Sequence, residues 1–75
     1  MTKYNGHKNW NHWNVSLWIN NDEGLYHMAR EFADQDTRHM AAKNMLGWLR
    51  DAGITKTPDG APYSVSSIRA AMVEM

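Results

Sequence analysis

Trp10-Asn11-His12-Trp13-Asn14-Val15-Ser16-Leu17-Trp18-Ile19 is the stretch whose reading decides the fold. It satisfies two patterns at once. Trp13, Val15, Leu17 and Ile19 alternate with Asn14, Ser16 and Trp18, the period of a half-buried strand. Trp10, Trp13 and Leu17 recur at i, i+3 and i+7, the period of a helix, with Asn9 or Asn11 available as N-cap. A strand needs a partner, and no second stretch of the chain is long enough to pair with this one. The segment is therefore expected to be a helix over 9–20. Val15, Trp18 and Ile19 lie off the Trp13–Leu17 stripe, so this helix has a wide apolar surface and is either central or partly an interface.

The same logic extends outward. Asn20-Asn21 reads as a stop and a new cap, and Asp22 and Glu23 suit the positive end of a following helix. Leu25, Met28, Ala29 and Phe32 then predict an amphipathic helix over 22–34. Asp36 or Thr37 starts a third helix. Its stripe is Thr37, Met40, Ala41, Asn44, Met45, Trp48, Leu49 and Ala52, closed by Gly53 as the C′ residue. In this reading Trp48 anchors the third helix against the fourth, and Gly47 permits a close helix approach. Thr57-Pro58-Asp59-Gly60 is a turn. Ser64 caps a last helix whose buried stripe is Val65, Ile68, Ala71, Met72 and Met75. The expected fold class is all-α: a compact single domain of about four short helices, the second half helix-turn-helix-like. Residues 1–8 form a polar N-terminal arm and residues 9–75 the single helical domain.

Bulk properties narrow the function. At 75 residues the chain is one small domain with no cysteine, so large side chains must replace disulfides as its source of stability. Four Trp, three Tyr, one Phe and six Met supply them. Absent cysteine fits a reducing compartment, and the expected location is the cytoplasm. No apolar run approaches a membrane span. Eight basic and eight acidic residues cancel, which removes the generic electrostatic case for nucleic-acid binding. Residues 36–75 are slightly more basic than residues 1–35.

Candidate chemistry is sparse. His7, His12, His27 and His39 show no i, i+3 or i+4 pairing and have no cysteine beside them, so no metal site is expected. Ser16, Ser64, Ser66 and Ser67 lack the strand–turn–helix setting of an activated nucleophile. Ser64 and Ser67 read more simply as a cap and a first-turn hydroxyl. No enzyme activity, cofactor or small-molecule substrate is expected. Tryptophan, by contrast, is enriched at binding hot spots. Trp13 and Trp18 are assigned to the core. Trp10 is assigned to a partner-binding surface with Asn11, His12 and Asn14, steered by Asp22 and Glu23.

Two resemblances bear on the partner. The run Asn9-Trp10-Asn11-His12-Trp13-Asn14-Val15-Ser16-Leu17-Trp18-Ile19-Asn20-Asn21-Asp22-Glu23-Gly24-Leu25-Tyr26 resembles a family of short phage and mobile-element proteins. Their shared pattern is close to N-x-x-x-W-N-V-x-L-W-[IL]-x-N-D-E-G-x-Y. The resemblance implies an accessory protein of such an element and supplies no catalytic residues. Small phage proteins of this size, anti-CRISPR proteins among them, often neutralise a host or defence machine by occupying its surface. The implied partner is a host or defence-system protein, for example a nuclease complex.

The second resemblance runs from Trp48 to Arg69. Here Gly53-Ile54-Thr55 through Tyr63-Ser64 to Ile68-Arg69 is similar to a helical DNA-binding module of serine recombinases. It departs from that pattern by an extra residue before Pro58 and by a final helix with a single basic residue, Arg69. It implies DNA as the alternative partner, contacted by Lys56, Thr57, Ser64, Ser66, Ser67 and Arg69. A capped surface helix after a turn produces much of the same pattern without any DNA.

Overall fold

The computed structural model describes residues 8–73. It consists of four helices, α1 (Trp10–Asn21), α2 (Glu23–Gln35), α3 (Arg38–Asp51) and α4 (Val65–Ala71). There is no strand among the described residues; the single extended pairing is an isolated antiparallel bridge between Lys56 and Pro62. The expected arm at 1–8 lies outside the described residues except for Lys8, and Met75 of the predicted fourth stripe also lies outside them.

Each helix starts where side-chain chemistry satisfies its free N–H groups. Asn9 accepts from the His12 backbone, Asp22 from Leu25, Thr37 from Met40 and Ser64 from Ser67. The Asn21 cap expected for α2 is corrected by one residue. Asp22 does the capping, and its carboxylate adds a favourable interaction with the helix dipole. The α4 cap is reciprocal, because the Ser67 hydroxyl also receives the Ser64 backbone N–H. Gly53 ends α3 with φ +78°, and Gly60 closes the 57–60 turn with φ +95°. Both are conformations that a Cβ disfavours.

The helices form a ring. α1 packs on α2 and α4, and α3 packs on the same two, whereas no Cα of α1 comes within 8 Å of one in α3. The core is Val15 and Ile19 of α1, Ala29 of α2, Ala41, Ala42, Met45, Leu46 and Leu49 of α3, and Ile68, Ala71 and Met72 of α4. Ala61 and Tyr63 enter it from the connection before α4. The Cα radius of gyration, 11.3 Å, matches the about 11 Å expected of a folded chain this size.

Two helices are rotated from the expected register. α1 buries Asn14, Val15 and Ile19, with Trp18 half-buried, so the Trp10–Trp13–Leu17 stripe is not the core face. Trp13 and Trp18, assigned to the core, are both half-buried. α3 turns Ala42 and Leu46 inward and leaves Met40, Asn44, Trp48 and Ala52 exposed. Trp48, expected to anchor α3 against α4, is 39% exposed and lies outside the buried core. The buried α3 face carries two alanines, Ala41 and Ala42, beside Met45, Leu46 and Leu49, and small side chains of that kind let helices pack closely. Gly47 is likewise not at a helix crossing: a Cβ added there would meet no atom within 4 Å.

Candidate functional site

The Trp-Asn-His run makes a connected polar network with the turn before α4. Asn14 is only 1% exposed. Its Nδ2 donates to Asp59 Oδ2 at 2.9 Å, and its Oδ1 accepts from the Thr57 hydroxyl at 2.5 Å. Thr57 Oγ1 in turn accepts the Ala61 backbone N–H at 3.0 Å. Trp18 Nε1 donates to the same Asp59 Oδ2 at 2.9 Å. Asp59 is presented to both donors because Thr57-Pro58-Asp59-Gly60 folds back on itself, with Gly60 N–H bonded to Thr57 O and Thr57 N–H to Ala61 O. The two donated bonds, Asn14 first and Trp18 second, hold the Asp59 carboxyl below its ordinary pKa.

A second link lies one turn back along α1. His12 Nε2 is 2.8 Å from Ser66 Oγ at the start of α4; which of the two donates depends on the imidazole tautomer. Ser64 and Ser67 are occupied with capping. No buried side-chain nitrogen or oxygen among the described residues lacks a partner. These polar groups therefore fasten α1 to the 57–61 turn and to α4, across 41 to 54 residues of sequence.

This sorts the expected site residues. Of the partner-binding set, Trp10 (37% exposed), Asn11, Asp22 and Glu23 are at the surface. Asp22 also caps α2, and Glu23 pairs loosely with His27 at 3.8 Å. His12 is half-buried against Ser66. Asn14, expected on the exposed side of α1, is corrected to the interior, where Thr57 and Asp59 give it the partners that a buried amide requires. Of the DNA set, Lys56, Ser66 and Arg69 are exposed, Ser64 is half-buried, and Thr57 and Ser67 are buried and internally bonded. The connection from α3 to α4, residues 52–64, is longer than the 3–4-residue turn of a DNA-reading helix-turn-helix.

Sequence reasoning missed Asp59, which it took only as a turn former. The proline and glycine on either side disclosed the turn. Nothing local discloses that its carboxylate meets an amide 45 residues away. Among the described residues no group of three or more His, Asp or Glu side chains is placed to hold a metal ion, and no helix is long and apolar enough to cross a membrane.

Neither a curated protein nor a solved structure matches the chain. A family match does cover it from end to end: residues 1–75 fit the family of unknown function DUF7249, and the chain belongs to that family.

Proposed function

We propose that this protein is an accessory protein of a phage or similar mobile element that acts by stoichiometric binding to a host or defence protein, in the manner of an anti-CRISPR inhibitor. The observation that carries the reading is the outer face of α1. That helix has no charged residue from Trp10 to Asn21. It keeps Trp10 exposed, leaves Trp13 and Leu17 half-buried, and ends on exposed Asn20 and Asn21. Aromatic and amide side chains without charge are the composition of an interface centre rather than of a solvated helix face. Asp22 and Glu23 follow at its end and give the surface an acidic border, suited to steering toward a basic partner such as the nucleic-acid channel of a nuclease complex. The resemblance of residues 9–26 to phage and mobile-element proteins supplies the biological setting.

The DNA-reading alternative is weaker. Two of its six contact residues, Thr57 and Ser67, are buried inside the fold.

The test is capture from a lysate of the host, with the parent chain and with folded Trp10→Ala and Asn11→Ala variants as bait. The parent should retain a protein that both variants release. A duplex-DNA titration runs beside it. Binding to generic duplex that falls steeply with salt, lost in Lys56→Ala and Arg69→Ala but unchanged in Trp10→Ala, would replace this reading with the DNA one.

A further inference from the structure

We infer that Asp59-Gly60 is a latent site of self-modification, at which the chain converts an aspartate to an isoaspartate, and that the contact with α1 holds the reaction off. The site is the turn before α4, and it stands whether or not the outer face of α1 meets a partner. Asp59-Gly60 is the only Asp-Gly pair in the sequence. The pairing matters because the reaction joins the Gly60 backbone nitrogen to Asp59 Cγ, and glycine puts no Cβ in the way. Both residues are exposed, and a Cβ built on Gly60 would meet nothing within 4 Å.

The step balances with water alone. The Gly60 nitrogen attacks Asp59 Cγ and gives up its proton, and a carboxyl oxygen leaves as water. The product is a five-membered succinimide made of Asp59 Cα, Cβ, Cγ and carbonyl carbon with the Gly60 nitrogen. Water then reopens the ring. Attack at the Asp59 main-chain carbonyl routes the chain through Cβ and Cγ, which adds a methylene to the turn and leaves the former carbonyl carbon as a free carboxylate.

The fold opposes ring closure at both reacting groups. Gly60 N–H donates to Thr57 O at 2.8 Å, and that bond is lost because the ring nitrogen carries no proton. Asp59 Oδ2 accepts from Asn14 Nδ2 and from Trp18 Nε1, both at 2.9 Å, and ring closure destroys the carboxylate that they hold. The same donors favour the ionised carboxylate, whereas the neutral acid is the form that loses water readily. Asn14 is itself held by the Thr57 hydroxyl. Closure therefore waits for the turn to part from α1, and its rate follows the population of that local opening.

The experiment incubates the full chain at neutral pH beside Trp18→Phe, Asn14→Ala and the parent held unfolded in urea. Samples are mapped over time with an endoprotease that cuts at aspartate and not at isoaspartate, and circular dichroism shows which variants are folded. Asn5-Gly6 gives a product of changed mass, so mass spectrometry keeps it apart from Asp59. The unfolded chain should convert at Asp59, and the folded parent should lag it by about tenfold or more. Trp18→Phe keeps an aromatic ring and drops the N–H donor, so it should convert faster than the parent while still folded. Asn14→Ala, if folded, should convert faster again. No conversion in the unfolded chain, a folded parent that converts as fast as the unfolded one, or a folded Trp18→Phe as slow as the parent overturns the inference.

Discussion

Asn14 shows how one residue turns a surface-looking sequence into an interior. Its amide joins the Thr57 hydroxyl to the Asp59 carboxylate, and through them the turn that leads into α4. Asn14→Ala should cost about 1–3 kcal/mol, because it leaves the buried Thr57 hydroxyl without its acceptor. Urea denaturation of parent and variant measures this, and a change under about 0.5 kcal/mol would mean that water replaces the amide without loss. Asp59 adds a pH signature. Its folded pKa is lowered by the Asn14 and Trp18 bonds, so the unfolded chain binds its proton first as pH falls. The stabilisation is therefore complete above the ordinary carboxylate value of about 4 and fades below it. Tyr63 sets the opposite edge. Burial, and secondarily the Asp22 charge, raise its pKa, so its contribution is complete below the ordinary phenol value of about 10 and is lost as pH rises through the folded one. In acid titrations monitored by denaturation, Asp59→Asn should flatten the low-pH loss and leave the alkaline limb as it is.

At the scale of the elements, two glycines and two large residues of α3 make opposite predictions. Gly47→Ala should stabilise the fold by up to about 1 kcal/mol, since it raises helix propensity in open space. Gly53→Ala should destabilise it by a similar amount, because φ +78° penalises a Cβ. Thermal melts of the two variants should move in opposite directions. Leu49→Ala should cost about 2–5 kcal/mol as a core truncation, whereas Trp48→Ala, which removes a side chain that is 39% exposed, should cost less than Leu49→Ala. Equal losses would place Trp48 in the core after all.

Element identity was readable in the chain, since Asn9, Thr37, Ser64, Gly53 and Gly60 announce starts, stops and turns through local chemistry. Element orientation was not. In α3 the stripes through Trp48 and through Leu46 share Ala41, Met45 and Leu49, so periodicity leaves the rotation open to within a residue. In α1 the inward face includes an amide and an indole N–H. That is tolerable only because a turn 41 to 45 residues away supplies a carboxylate, and no local pattern encodes such a partner. Of the candidate site, the exposure of Trp10 and Asn11 was legible in the chain, while the bonds that take His12 to Ser66 and Asn14 to Thr57 and Asp59 were not, because their partners lie more than 40 residues away.

For the molecule as a whole, a chain of this length buries only about 60% of its unfolded surface, so large side chains left outside are costly omissions from the core. Trp10 and Trp48 each keep more than a third of their surface exposed, on different helices. The polar network of Asn14, Thr57 and Asp59 ties α1 to the turn before α4, and under the proposed function the uncharged outer face of α1 is what meets the partner. The most direct test of that central claim is titration calorimetry of the chain against the protein recovered from the host, with Trp10→Ala beside the parent. Saturation at one chain per partner site is expected, with a loss of about 30-fold or more in affinity for the variant, the scale of a hot-spot tryptophan. A folded Trp10→Ala that binds as tightly as the parent would contradict it.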